Sequence, residues 1–272
     1  MAREIVLAAT DLSARSDRAI DRALQLGAEL GLAVGVIHVA DPKADPEQSS
    51  GRLRDAVRAA LPSPEAEAEI IIAAGSAPRT IAEVGRDRDA AMIVTGVARF
   101  NSPGDYLLGT AVEHIVRHSR APVLIAKHRP HRRYETILCA VDFSDHSGNA
   151  LRTALQLFPR CKVLALHAYH VPFESWQRDA YVREETESAA HTQFRAFIDR
   201  QPLSDQERSR LDIRLAFGDV GPVLRDEIAR EGSDLVVFGT QGMGGLRQAT
   251  IGSTAASLLE GVTPDTMIVP PE

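Results

Sequence analysis

A segment that occurs twice decides the fold. It reads E-I-V-L-A-A-T-D-L-S-A-R-S-D-R-A-I-D-R-A-L-Q-L at residues 4–26 and E-T-I-L-C-A-V-D-F-S-D-H-S-G-N-A-L-R-T-A-L-Q-L at residues 135–157. Eleven of the 23 aligned positions are identical. Each copy has a short apolar run, then Asp-x-Ser, then apolar residues at helical spacing. This order predicts a buried strand, a turn with a helix cap, and an amphipathic helix.

The repeat extends through the whole chain of 272 residues. The alignment offset is 131 at the start and 143 from Gly75 and Gly218 onward, so the second copy carries the longer middle segment. The stretch H-R-P-H-R-R at residues 128–133 separates the copies and has the composition of a linker. We therefore expect two homologous domains, at residues 1–128 and 134–272.

Strand-like and helix-like segments alternate within each copy. In the second copy the predicted strands are 136–141, 163–167, 211–217, 235–238 and 266–269, and the helices between them are 150–158, 178–200, 223–229 and 253–259. Such alternation indicates parallel strands joined by right-handed helical crossovers. The expected fold class is α/β, with two tandem five-stranded parallel-sheet α/β sandwich units of Rossmann-like type.

The composition excludes several classes of protein. The net charge is −6, most of it in the second half, and aromatic residues make up 5% of the chain, which disfavours a nucleic-acid binder. No apolar run approaches the length of a membrane span, and the N-terminus M-A-R-E-I-V lacks the apolar core of a signal peptide. Cys139 and Cys161 form no C-x-x-C motif and are predicted to be buried free thiols. We expect a soluble, cytoplasmic protein.

Two loops of the second copy carry the candidate chemistry. Ligands of open parallel sheets bind beyond the carboxyl ends of the strands, where the winding direction reverses. Asp142 follows the first strand, and a loop with five glycines, G-T-Q-G-M-G-G-L-R-Q-A-T-I-G-S-T at residues 239–254, follows the fourth. Its end, Gly252-Ser253-Thr254, begins a helix and offers free amides to an anion. These residues predict a nucleotide, with phosphates on the glycine loop and the sugar near Asp142.

The spacing Gly239-x2-Gly242-x9-Gly252-Ser253 resembles the ATP-binding signature of the universal stress protein family. The segments A-V-D-F-S and His167-Ala168 are also similar to that family, and the resemblance covers both copies. It implies an adenine-nucleotide α-hydrolase-like fold, ATP or ADP or AMP as ligand, a role in the stress response, and pairing of the two units through their final strands. By this resemblance the nucleotide-binding residues are Ala140, Val141, Asp142, Ala168, Gly239, Gly242, Gly252, Ser253 and Thr254.

The first copy departs from this pattern. Its loop reads Gly96-x2-Arg99-x9-Gly109-Thr110, so an arginine replaces the middle glycine, and Pro103 and Asp105 stand inside the loop. A side chain at position 99 is expected to obstruct a phosphate cradle. The leading hypothesis is a degenerate site in a unit that mainly pairs with the second one. The alternative makes Arg99 a phosphate clamp.

Other chemistries find less support in the sequence. The chain has no G-x-x-x-x-G-K-[ST] motif, and Arg247 is the only cation of the glycine loop, which predicts slow or absent hydrolysis and no enzymatic role. Mg²⁺ is a candidate companion of the phosphates through Asp142. Pairs of histidines at residues 114/118, 128/131 and 167/170 have spacings that can bind zinc, but none has an evident third ligand, so no metal site is predicted.

Much of the aromatic content, including the only tryptophan, lies in residues 169–197. The simpler interpretation packs these rings between the longer second helix and the sheet, and the other makes them a partner surface or a ligand groove.

Two alternative functions of the protein stay open: a nucleotide-free interaction or lipid-binding stress module, and a slow ATPase. An unidentified protein partner and a homodimer are further expectations.

Overall fold

The computed structural model describes residues 5–41, 46–97, 110–169, 180–240 and 261–271. The first unit contains β1 (Ile5–Thr10), α1 (Asp17–Leu30), β2 (Ala33–Ala40), α2 (Pro46–Ala59), β3 (Glu69–Ala74), α3 (Ala77–Asp87), β4 (Ala90–Gly96), α4 (Thr110–His118) and β5 (Val123–Ala126). The second contains β6 (Thr136–Ala140), α5 (Asp145–Leu157), β7 (Lys162–Tyr169), α6 (Ala180–Arg200), α7 (Asp205–Arg208), β8 (Leu211–Phe217), α8 (Val220–Glu231), β9 (Leu235–Gly239) and β10 (Asp265–Val269). The predicted order of strands is confirmed in both units, and the predicted helix at 253–259 lies outside the described residues.

All ten strands join one sheet, in the order β3-β2-β1-β4-β5-β10-β9-β6-β7-β8. Pairing is parallel within each unit, and β5 and β10 pair antiparallel, with Thr266 opposite Ile125 and Ile268 opposite Val123. The expected pairing of the final strands inside one chain is thus confirmed. Because the strands of the two units run in opposite directions, their carboxyl ends lie at opposite edges of the sheet.

Helices cover both faces of the sheet, as parallel crossovers require. Alternate strand residues belong to different cores: Val6 and Ala8 pack with α1, whereas Ile5 and Leu7 pack beneath α3 and α4. Each core contains residues of both units, and β5 and β10 contribute to both. The apolar interior is therefore continuous through the β5–β10 junction on either face.

A buried ion pair closes the β5–β10 junction. The carboxylate of Asp265, at the start of β10, lies 3.1 Å from Nε of Arg22 in α1, and both side chains are less than a tenth exposed. The same carboxylate accepts hydrogen bonds from the Tyr134 hydroxyl (2.6 Å) and from the backbone amides of Lys127 (2.8 Å) and His128 (3.2 Å). Asp265 thereby connects the second unit to the first helix, to the end of β5 and to the linker.

The ion pair has no counterpart on the other side of the junction. Symmetric contacts exist elsewhere: Arg18 donates to the carbonyl of Lys127 (2.6 Å), and its repeat equivalent Asn149 donates to that of Pro270 (3.0 Å). The repeat equivalents of Arg22 and Asp265, however, are residues 153 and 122, a threonine and a proline. The two units therefore share a backbone arrangement, but among the described residues only one side of their junction has the ion pair.

The end of the first unit also contacts the segment that leads into β10. Lys127 Nζ donates to the carbonyl of Val262 (2.6 Å), and His128 Nε2 donates to that of Thr263 (2.8 Å). Burial lowers the pKa of Lys127 to about 8, against the raising influence of Asp265. This lysine is therefore buried at a cost to its charged form.

Two further expectations concern the thiols and the membrane. Cys139 and Cys161 are free and buried, as predicted, and burial raises their pKa to about 12 and about 11. Thiols with such a pKa are protonated at neutral pH and chemically inert.

Within the described ranges, no helix combines the length and the apolar character that crossing a membrane demands.

Replacing Asp265 by asparagine should lower the free energy of unfolding by about 3–5 kcal/mol, because the charge of Arg22 stays buried while its remaining contacts are all with neutral groups. The control is Asn149→Ala, which removes two neutral hydrogen bonds, one to the Pro270 carbonyl and one from the Thr153 hydroxyl, and should cost about 1–2 kcal/mol. Urea unfolding of the two variants measures both. A cost for Asp265→Asn no larger than that of the control contradicts the role given to the ion pair.

The low pKa of Lys127 predicts a pH dependence of stability. Between about pH 8 and 10.5 the unfolded chain binds more protons at this residue than the folded chain, so Lys127 makes stability rise with pH in that window. The raised pKa values of the two thiols make stability fall as pH rises. A Lys127→Met variant has the same thiols, so their effect cancels when its stability is compared with that of the wild type. The stability advantage of Lys127→Met over wild type should therefore shrink by up to about 3 kcal/mol from pH 7.5 to 10.5. A difference constant with pH would show that the lysine is not desolvated.

Candidate functional site

The turn after β6 places Asp142 at the carboxyl edge of the second unit, next to the point where the winding reverses between β6 and β9. Asp142 Oδ1 accepts hydrogen bonds from the backbone amide of Ser144 (3.1 Å) and from its hydroxyl (2.6 Å). Ser144 in turn caps α5 by accepting from the Ser147 amide (3.2 Å), as its position in the sequence predicts. The half-buried Asp142 is therefore held beside the first turn of α5.

Phe143, between Asp142 and Ser144, has a left-handed backbone with φ 68°. Its ring stacks on the imidazole of His167, with centroids 4.1 Å apart and planes 27° from parallel. His167 Nδ1 donates to the carbonyl of Val141 (2.7 Å), which joins the end of β7 to the end of β6. The imidazole thus supports both the backbone and the ring of the Asp142 turn. The sequence contains a signal for it, since His38 stands in the equivalent place, but only the structure reveals its partners.

Gly239, the last residue of β9, lies against the first turn of α5. A Cβ at this position would be 2.9 Å from the carbonyl oxygen of His146, closer than real Cβ contacts come. Gly96 has the same relation to the turn that leads into α1, with 2.8 Å to the carbonyl oxygen of Arg15. Glycine is therefore required here by close packing of backbone on backbone. This contact brings the start of the glycine loop next to the Asp142 turn.

The structure brings together the predicted site residues that it describes. Ala140 ends β6, Val141 and Asp142 follow it, and Ala168 lies near the end of β7 opposite Ala216 of β8. Gly239 ends β9, the other neighbour of β6. The remaining predicted residues, Gly242, Gly252, Ser253 and Thr254, lie outside the described residues, and so does most of the glycine loop.

The first unit repeats this arrangement in its described part. Asp11 Oδ1 accepts from the amide (3.0 Å) and the hydroxyl (2.5 Å) of Ser13, Leu12 has φ 61°, and His38 Nδ1 donates to the carbonyl of Thr10 (3.0 Å). Arg99, Pro103, Asp105 and Gly109, which led us to predict a degenerate site, lie outside the described residues. The described part of the first unit's site, the turn at Asp11, therefore matches the second unit.

Two of the candidate zinc pairs have other contacts. His118 Nδ1 bonds to the carbonyl of His114 (2.8 Å) and the two rings stack at 4.1 Å, whereas His128 contacts Thr263. Within the described ranges, no group of three or more histidine, cysteine, aspartate and glutamate residues lies close enough together to hold a metal ion.

The aromatic segment is partly described. Phe194 and Phe197 of α6 are fully buried, and their ring centroids lie 5.4 and 5.6 Å from that of Phe143. Tyr169 packs edge-on against Phe217 of β8 at 5.7 Å. For Phe194 and Phe197 the interpretation as packing between helix and sheet is confirmed, whereas the contact of Tyr169 is between neighbouring strands. Phe173 and Trp176 lie outside the described residues.

The family model of the universal stress protein family matches this chain twice, at residues 2–127 and 133–270. Together the two matches cover nearly the whole chain, so the protein belongs to the universal stress protein family, in a form with two tandem units. No curated protein matches the chain.

Solved structures share the two-unit fold. The structural match with a protein of unknown function from Pseudomonas aeruginosa spans 99% of this chain and 93% of the Pseudomonas chain, at 19% identity and TM-score 0.69. A universal stress protein from Archaeoglobus fulgidus covers 98% of both chains, at 18% identity and TM-score 0.67. A shorter universal stress protein, solved in complex with cAMP, covers 47% of this chain and 98% of its own, at 26% identity and TM-score 0.36. The first two likenesses confirm the fold class.

Gly239→Ala should destabilise the chain by about 1–3 kcal/mol, because the added methyl group meets the carbonyl of His146, which cannot move without displacing α5. Gly51→Ala is the matched control. Gly51 lies in the exposed part of α2 with no heavy atom within 4 Å of a built Cβ, so alanine should add up to about 1 kcal/mol there. Urea unfolding compares the two variants. Equal effects of the two would show that β9 does not need to approach α5 so closely.

Proposed function

We propose that the second unit binds ATP or a related adenine nucleotide at the carboxyl edge of β6 and β9, and that the protein acts as a regulator or protector in the stress response. The observation that carries the proposal is the fixed turn at Asp142. Its carboxylate is anchored by Ser144, is half-buried, and lies at the reversal point of the sheet beside Gly239. An anchored carboxylate at this place suits the hydroxyl groups of a ribose.

Family membership and the sequence beyond Gly239 support the rest of the ligand. Gly252, Ser253 and Thr254 would offer amides and hydroxyls to the phosphates at a helix N-terminus. The backbone of Ala168 would contact the adenine, and Ala140 and Val141 would line the same pocket through backbone and methyl groups. The glycine loop holds Arg247 but no lysine, so the γ-phosphate would lack the cation that P-loop enzymes use. We therefore propose a binding protein and not an enzyme, with Mg²⁺ as companion of the phosphates.

The first test is mass spectrometry of the denatured purified protein, which should release ATP, ADP or AMP. Thermal unfolding with added ATP then measures the affinity. At about 100 times its dissociation constant, ATP should add about 2.7 kcal/mol, or roughly 5–10 °C in Tm. Asp142→Ala should abolish this shift because the ribose contact is lost, and Gly242→Arg, which copies the first unit, should do so by obstructing the phosphates.

The control for Asp142→Ala is Asp11→Ala, which makes the same change in the equivalent turn. If the first site is degenerate, Asp11→Ala retains the full shift. If only Asp11→Ala removes the shift, the nucleotide binds in the first unit and our assignment is wrong. Turnover of radiolabelled ATP that Asp142→Ala abolishes would favour the slow ATPase, and the absence of any shift or released nucleotide would favour the interaction module.

A further inference from the structure

The residue after Asp142, Phe143, has contacts with three aromatic rings. Phe143 stacks on His167 at 4.1 Å, and its ring centroid lies 5.4 and 5.6 Å from those of Phe194 and Phe197 in α6. His167 also meets Phe194 edge-on at 6.4 Å. We call these four residues the aromatic clamp. It joins α6, β7 and the Asp142 turn, although α6 lies about fifty residues further along the chain.

In its described residues, the first unit forms the same turn without an aromatic clamp. Leu12 takes the place of Phe143, with a closely similar φ (61° against 68°), and His38 still bonds to the carbonyl before the aspartate. The helix that corresponds to α6 is α2, which offers Val57 to the core in its described part. A leucine is therefore sufficient to form the turn. The aromatic clamp is therefore not required for the turn to form.

The physical consequence of the aromatic clamp is rigidity next to the carboxylate. A left-handed backbone at a residue with a side chain costs about 1–2 kcal/mol, so such a turn tends to relax unless its surroundings hold it. Each aromatic pair contributes about 0.5–1.5 kcal/mol and has a preferred geometry. Since Phe194 and Phe197 are fully buried, they provide a fixed wall for the ring. The turn in the second unit is thus held in one conformation before any ligand arrives.

We propose that Phe143 is a positioning residue: by fixing the turn through the aromatic clamp, it presets the Asp142 carboxylate for the ribose hydroxyls and gives the second unit its selectivity for a ribonucleotide. This inference rests on the proposed function. Preorganisation raises affinity because the ligand does not have to order the site. The effect should therefore be specific to ligands that carry the hydroxyl groups that Asp142 contacts.

The test compares ATP with 2′,3′-dideoxy-ATP, which lacks both hydroxyls, by calorimetric titration of the full chain. Wild type should prefer ATP. Phe143→Leu, which copies Leu12, should weaken ATP by about fivefold to tenfold, the loss of roughly one aromatic pair, and leave dideoxy-ATP unchanged. The preference for ATP then falls towards that of Asp142→Asn. Phe143→Tyr keeps the ring and should restore the preference.

The matched control is Leu12→Ala, which loosens the equivalent turn in the first unit and should lower Tm without changing either affinity. A general loosening of the protein by Phe143→Leu would weaken both ligands equally, and that result overturns the inference. An unchanged preference for ATP in Phe143→Leu also overturns it, while the proposed function stands. If the wild-type chain does not bind ATP, or Asp142→Asn binds both ligands as wild type does, the proposed function itself fails.

Discussion

The antiparallel pairing of β5 with β10 is the constraint on which the molecule depends. It converts two five-stranded sheets into one, makes both apolar cores continuous, and turns the carboxyl edges of the two units in opposite directions. The two candidate sites therefore cannot share a ligand. Each must be built from its own unit, and the units are in contact through the β5–β10 junction.

The β5–β10 junction has a buried ion pair on one side, and the equivalent positions on the other side are uncharged. Arg22 and Asp265 form a buried ion pair, whereas the equivalent positions carry Thr153 and Pro122. Buried ion pairs contribute little net stability in comparison with apolar packing, and their best-attested benefit is to specify one arrangement among several. A β10 strand placed against another β10 would not bring Arg22 to Asp265. The asymmetry thus favours the pairing of unlike units, which is the pairing that a tandem chain supplies.

The two units use the same local chemistry at their carboxyl edges and surround it differently. In both, an aspartate accepts from a serine two residues later, a left-handed residue follows the aspartate, and a histidine bonds to the carbonyl before it. The second unit adds the aromatic clamp, supplied by a longer helix. Duplication thus preserved the turn, and the changes that distinguish the units lie in the elements packed around it.

A structural feature could be predicted from the sequence when the residues that form it lie close together along the chain. Strands, helices, the Ser144 cap and the position of Asp142 follow from patterns within about 25 residues, because backbone geometry and apolar periodicity act locally. The comparison of the copies also predicted the two tandem units. It did not predict the role of Gly239, whose constraint is the carbonyl of His146, or the support that His167 gives to Val141, because these residues become neighbours only when β6 lies between β7 and β9.

The sequence by itself determined the class of fold, the tandem organisation and the edge of the sheet at which Asp142 and Gly239 lie. Only the tertiary structure decided which charged residues are buried together and which rings enclose Phe143. Arg22 and Asp265 lie far apart in the sequence, in different units, and nothing in the local pattern of either residue marks it as buried. Their environment is set by which strands become neighbours in the sheet, a property of the whole chain and not of any segment.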